Sequence, residues 1–159
     1  MLVLGVDPGS QVTGYGLVEK KNDTLTCIRS GHITSSGKTP FYERIHKIFQ
    51  AMVDVMTDYR PHEMAIEDVF YAKNIKSSLK LGHARGAVLI AAVQCGVPIF
   101  EYTPLEIKKS VVGYGRATKE QVRSMVRIIL KLKGDLTLDT SDALATAICH
   151  LNWLRFESQ

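Results

Sequence analysis

Apolar positions come in short bursts at the start of the chain and in helical repeats further on. Leu2, Val3, Leu4, Gly5 and Val6 form a near-continuous apolar run ending at Asp7, the pattern of a strand covered on both faces. Gly14 to Glu19 and Thr24 to Ile33 read as the next two strands. The polar turn Lys20, Lys21, Asn22 and Asp23 parts them, so an antiparallel meander is expected. Thr39 followed by Pro40 opens a helix, and Ile45, Ile48, Phe49, Met52 and Met56 recur at helical spacing until Arg60 and Pro61 stop it. Met64, Ala65 and Ile66 make a short strand that ends at Glu67. A long helix is predicted from about Lys76 to Cys95, with a fifth strand over Val97 to Tyr102.

A short helix near Leu105 to Val111 leads into the loop Gly113-Tyr114-Gly115. The next helix carries Val122, Met125, Val126 and Ile129 on one side, and a last one, beginning near Asp139, turns Leu144, Ala147, Ile148 and Leu151 inward. Three hairpin-linked strands followed by crossover units predict an α/β fold. Its five-stranded mixed sheet has the first three strands antiparallel, then parallel crossovers, with helices on both faces.

With 159 residues, 45% of them hydrophobic and 23% charged, the chain suits one domain spanning residues 1–159. Its longest apolar run, Ala87 to Val93, is too short to span a bilayer, and the first residues show no basic n-region or cleavage site. A soluble, cytoplasmic chain without a membrane partner is expected. Cys27, Cys95 and Cys149 are scattered and lack a C-x-x-C spacing, so they read as buried free thiols. The five histidines, His32, His46, His62, His83 and His150, also lack metal-ligand spacing and read as structural or surface residues, with His83 the nearest to any DNA.

The candidate chemistry lies in carboxylates. Asp7 and Glu67 end two buried strands joined through a helical crossover, which lets the strands lie parallel with both acids at their carboxyl ends. Asp139 and Asp142, spaced i, i+3 at the start of the last helix, share a face. Simpler roles exist for three of them: Asp7 before Pro8 and Gly9 suits a turn, Asp139 suits a helix cap, and Asp142 suits the helix dipole. If all four converge, each pair of like charges at about 4 Å repels by roughly 4 kcal/mol at an effective dielectric near 20. Such a cluster needs cations, and hard oxygen ligands favour Mg²⁺, with Mn²⁺ as substitute. Two ions per site would serve phosphodiester hydrolysis. The net charge of +4 suits a polyanionic partner, and becomes more basic once those four acids are neutralised.

These residues also carry a resemblance. Gly5-Val6-Asp7-Pro8-Gly9-Ser10, Thr13-Gly14-Tyr15-Gly16, Ala65-Ile66-Glu67-Asp68-Val69-Phe70 and Ala72-Lys73-Asn74 open the match. Leu79-Lys80-Leu81-Gly82, Ala84-Arg85-Gly86, Val111-Val112-Gly113 and Ser141-Asp142-Ala143-Leu144-Ala145 continue it over nearly the whole chain. Together they resemble the RuvC family of Holliday junction resolvases, within the RNase H-like (retroviral integrase) superfamily. The resemblance implies that Asp7, Glu67, Asp139 and Asp142 are the metal-binding catalytic acids, although some relatives carry histidine in place of Asp139. It further implies a homodimer that nicks two strands of like polarity symmetrically across a four-way junction, leaving 5′-phosphate and 3′-hydroxyl ends. Such proteins work beside the RuvA and RuvB branch-migration proteins in recombination and repair. Lys108 and Lys119 match lysines that assist catalysis in the family, and Phe70 matches an aromatic that stacks on an unpaired base, with Tyr71 as the competing ring.

Two basic stripes extend the DNA-binding expectation. Lys73, Lys76 and Lys80, with Arg85 beyond them, follow one helical face, and Lys119, Arg123, Arg127 and Lys131 follow another. Arg116, in the glycine-bounded loop, is a further candidate contact. A solvated helix face is the plainer account of any single member. Three other functions fit parts of the pattern: a nuclease for RNA-DNA hybrids on the same fold, a catalytically silent junction-binding module, and an ATP-binding protein with an Asp-x-Gly-Ser phosphate loop. The last needs two related domains, and this chain has room for one.

Overall fold

The structure, a computed structural model, describes residues 1–68 and 74–157. Its strands are β1 (Leu2–Asp7), β2 (Val12–Lys21), β3 (Thr24–Thr34), β4 (Glu63–Glu67) and β5 (Ile99–Tyr102). The helices are α1 (Phe41–Tyr59), α2 (Ile75–Gln94), α3 (Pro104–Val112), α4 (Lys119–Ile129) and α5 (Leu138–Glu157). They form one mixed sheet in the order β3-β2-β1-β4-β5, antiparallel across β3, β2 and β1 and parallel from β1 through β4 to β5. This is the predicted topology. The β2–β3 hairpin turns through Asn22 and Asp23, both at positive φ, as a tight turn that matches the sheet twist requires. It extends two residues further at each end of β2 than the apolar alternation indicated.

Period-two alternation divides β1 between two cores. Val3 packs with Val18, Ala65 and the inward faces of α3, α4 and α5. Leu4 and Val6 pack with Leu17, Met64, Ile66 and the stripes of α1 and α2. Helices thus cover both faces. The small-residue row Ala84, Val88, Ala91 and Ala92 of α2 is spent on the sheet, while Ile90 and Val93 of the same helix stay 60% and 67% exposed.

α5 lies unusually close to the strands because glycines receive it. A Cβ at Gly5 would fall 2.0 Å from the Ala143 carbonyl oxygen, and one at Gly14 would fall 2.1 Å from the carbonyl oxygen of Asp139. At Gly16 the obstacle would be the Leu144 side chain, 2.5 Å away. Helix backbone therefore rests on strand backbone with no side chain between them, which draws the first turns of α5 down to the carboxyl end of β1. Among the described residues no helix is long and apolar enough to cross a membrane. Cys149 is buried and Cys27 and Cys95 are half-buried, all three as free thiols.

Candidate active site

The site grows from two strand ends. β1 and β4 run parallel with Val6 opposite Ile66, so Asp7 and Glu67 leave the sheet side by side. Because Val6 points to the α1 and α2 core, Asp7 takes the opposite face, where α5 rests. Asp139 and Asp142 then arrive on the first turns of α5. Helix capping does not occupy Asp139. Thr137 does that work: its Oγ1 accepts from the Thr140 backbone N–H at 3.4 Å, its carbonyl oxygen accepts from that of Ser141, and Thr140 Oγ1 donates to the Gly31 carbonyl oxygen. The helix start is tied to β3, and the Asp139 carboxylate is left for other use.

Two lysines enter from the other side. α3 and α4 both begin with a full capping box, Thr103 with Glu106 and Thr118 with Gln121, which fixes the turns that carry Lys108 and Lys119. Lys119 Nζ donates to Asp142 Oδ2 at 2.5 Å. Glu67, Asp142, Lys108 and Lys119 line one cleft of about 50 Å³, walled on its apolar side by Pro104 and Ile107.

The electrostatics register the crowding. Burial, then the charges of Glu67, Asp142 and Asp139, push the Asp7 carboxyl up to about 8 against the pull of Lys119. Glu67 is raised by burial and by Asp142, with Lys119 and Lys108 opposing. For Lys119 burial works downward, but its hydrogen bond to Asp142 and the charges of Asp142, Asp7 and Glu67 leave its ammonium above the ordinary value. The four acids therefore share one electrostatic neighbourhood. Among the described residues no three of them close to the distances that would enclose an ion, and the Lys119 ammonium is the cation they face. A cluster of oxygen donors, two of which, Asp7 and Glu67, are pushed above the ordinary carboxylate range by burial and neighbouring charge, fits hard divalent ions and suits neither a soft metal nor a cysteine-ligated one.

Other predicted residues fare differently. Phe70, Tyr71 and Lys73 lie outside the described residues. Lys76 and Arg116 are exposed, and Lys80 and Arg123 are half-buried. Arg85 has a task the helical spacing did not suggest. Its Nη1 donates to the Glu67 carbonyl oxygen at 3.0 Å, and its other nitrogen pairs with Glu101 and lies 3.9 Å from Asp68. A guanidinium held by two acids and a strand end braces Glu67 from below, with little left for a phosphate. Asp68 faces this brace and not the acid cluster, as strand alternation requires.

Sequence reasoning missed two supports. One is the glycine seat, whose only trace was the repeat of small residues in Thr13-Gly14-Tyr15-Gly16. Another is the chain from Glu63 through buried His150 to Tyr102: His150 Nε2 lies 2.5 Å from Glu63 Oε2 and Nδ1 lies 2.7 Å from the Tyr102 hydroxyl. Tyr102 stands opposite Glu67 in the sheet while Glu63 opens β4 at its other end, so this chain ties α5 to both strands. A buried cation, Arg44, also went unread and is considered below.

Residues 3–150 match the family model described as "Crossover junction endodeoxyribonuclease RuvC". The chain belongs to the RuvC family. It is 49% identical over 152 residues to the crossover junction endodeoxyribonuclease RuvC of Geobacter metallireducens, covering 96% of this chain and 93% of that one. With the RuvC of Magnetococcus marinus it shares 45% identity over 157 residues, 99% of this chain and 87% of the other. Among solved structures, Thermus thermophilus RuvC in complex with a Holliday junction substrate superposes with a TM-score of 0.93 at 35% identity, over 99% of this chain and 97% of that one. The yeast mitochondrial Holliday junction resolvase, at 13% identity and a TM-score of 0.62 over 98% and 80%, shares the fold. All four acids and both lysines fall inside the stretch that defines RuvC membership, and the α/β sheet is the RuvC sheet.

Proposed function

We propose that this chain cleaves four-way DNA junctions through Asp7, Glu67, Asp139 and Asp142. The observation that carries the reading is their shared electrostatic neighbourhood at the carboxyl ends of β1 and β4, with Lys119 already bonded to Asp142. Asp7 and Glu67, fixed on strand ends, and Asp142 would be direct ligands of divalent metal, with Asp139 completing the set. Mg²⁺, with Mn²⁺ as substitute and two ions per site, would supply Lewis-acid polarisation of the phosphate and acidify the attacking water. Lys119, bonded to Asp142 here, would supply a cation that stabilises the charge developing on the phosphate. Lys108 contributes the same sign from α3.

DNA would lie across the basic side chains Lys76, Lys80, Arg116, Lys119 and Arg123, of which Lys76, Arg116 and Lys119 are exposed, together with Phe70, Tyr71 and Lys73. A second copy, packed on the exposed apolar row of α2 that includes Ile90 and Val93, would place two sites on one junction and nick strands of like polarity symmetrically. The single domain would act in the cytoplasm beside RuvA and RuvB, in recombination and repair.

Incubation with four-way, linear duplex and RNA-DNA hybrid substrates, in Mg²⁺ and in EDTA, tests the reading. Paired nicks in the junction that require Mg²⁺ are expected. Binding without incision would support a silent module, and preferential cleavage of hybrids a ribonuclease. Replacing Lys119 by alanine should lower cleavage more than junction binding, and an equal loss of both would reduce Lys119 to an anchor.

A further inference from the structure

On the far side of β1 a buried cation has no counter-charge among the described residues. Arg44, in the second turn of α1, is 7% exposed. Its Nη1 donates to the Ser10 carbonyl oxygen over a long 3.5 Å, its Nε is buried with no acceptor, and the Phe41 ring lies 5.3 Å from the guanidinium carbon. Among the described residues no carboxylate pairs with it; the ion pairs of the molecule are made by other groups. A guanidinium taken out of water against neutral partners alone is strongly unfavourable. Its donors sit in a fixed fork that matches the oxygens of a phosphate.

The helix that carries Arg44 adds an independent observation. α1 starts after Pro40 with no side-chain cap, so its first-turn N–H groups are not answered by a capping side chain, and Glu43 is the acid of that turn. Uncapped first-turn N–H groups, beside a guanidinium with no carboxylate partner among the described residues, together offer donors to an anion. Its position gives it meaning. Ser10 lies three residues past Asp7, and α1 packs against the face of β1 opposite the acids, so the Arg44 site and the acid cluster lie at the same carboxyl end of β1.

We propose that Arg44 and the start of α1 hold a phosphodiester of junction DNA at a position other than the one cleaved. This rests on the junction-cleaving reading above. The site orients the DNA strand that passes this end of the sheet, and it is filled only when DNA is bound.

The test compares the wild-type protein with Arg44→Met and Arg44→Lys by titrating a four-way junction in EDTA at several salt concentrations, with Tm measured on each free protein. Arg44→Met is expected to keep or raise the Tm, because it removes an unpaired buried charge. It is expected to weaken junction binding about tenfold, the loss of one charge-assisted contact. The slope of log K against log salt should become shallower by about 0.9, one phosphate contact. Arg44→Lys should keep that slope and recover only part of the affinity, since it lacks the fork. A fall in Tm for Arg44→Met would make Arg44 a structural group and overturn the proposal. So would an unchanged salt slope. Inorganic phosphate is added alone as a further arm: a raised wild-type Tm with equal junction affinities in all three proteins would identify a free-anion site and also overturn it. Failure of the wild-type protein to bind or cut the junction refutes the junction-cleaving reading instead, whatever the variants do.

Discussion

Replacing Asp7 by asparagine removes a negative charge from a place where burial and three other carboxylates all oppose it. In the unfolded chain Asp7 ionises near 3.8, and in the folded, metal-free protein near 8. Below about pH 4 the group is neutral in both states and stability is indifferent to it. Between pH 4 and 8 the unfolded chain releases the proton while the folded protein keeps it, so stability falls as pH rises, by about 1.4 kcal/mol per pH unit. By pH 8 the accumulated penalty is on the order of 5 kcal/mol. An amide of the same size escapes it but leaves a buried polar group incompletely bonded, at about 1–3 kcal/mol. Asp7→Asn should therefore be more stable than the parent by about 2–4 kcal/mol at pH 8 in EDTA, and nearly equal to it at pH 5. Urea unfolding at the two pH values measures this, and Mg²⁺ added at pH 8 should stabilise the parent and not the variant. Junction cleavage should vanish. A variant less stable than the parent at pH 8 in EDTA, or a stability difference independent of pH, would refute the placement of Asp7 among opposing charges.

Two further substitutions probe the supports. Gly14→Ala puts a methyl group 2.1 Å from the Asp139 carbonyl oxygen, so α5 must lift; unfolding in urea should show a loss of at least about 1–3 kcal/mol, with cleavage lost. Gly82→Ala, in α2 with open space around it, should instead gain about 0.5–1 kcal/mol, and a similar loss at both glycines would end the argument for a backbone seat. His150→Ala opens a cavity and strips two hydrogen bonds from Glu63 and Tyr102; a loss of about 2–4 kcal/mol is expected in urea, and a change below about 1 kcal/mol would remove the chain from the account of stability.

The strands and the acids on them were legible because their signals are local. An apolar run that stops at an acid marks a strand end, and a helical crossover between two such runs makes them parallel neighbours. Asp139 and Asp142 were harder to read: their spacing shows a shared face, but a cap and a ligand look alike until Thr137 is seen to accept from Thr140. Arg85 misled for the same reason in reverse. Its spacing along α2 continued a basic stripe, while its partners, the Glu67 carbonyl, Glu101 and Asp68, come from β4 and β5 and leave no periodic trace. Arg44 is one basic residue in an amphipathic helix until its burial is measured. Local pattern reports which face a residue takes, and not what is waiting there.

The glycines under α5 also bear on transplantation. The approach of the α5 acids to Asp7 of β1 is set by contact between two main chains, with no rotamer in between to adjust. Copying the four acids onto a relative's sheet without Gly5, Gly14 and Gly16 would reproduce the ligand list and misplace half of it. Engineers who graft this centre should move the bare patch first and the carboxylates second.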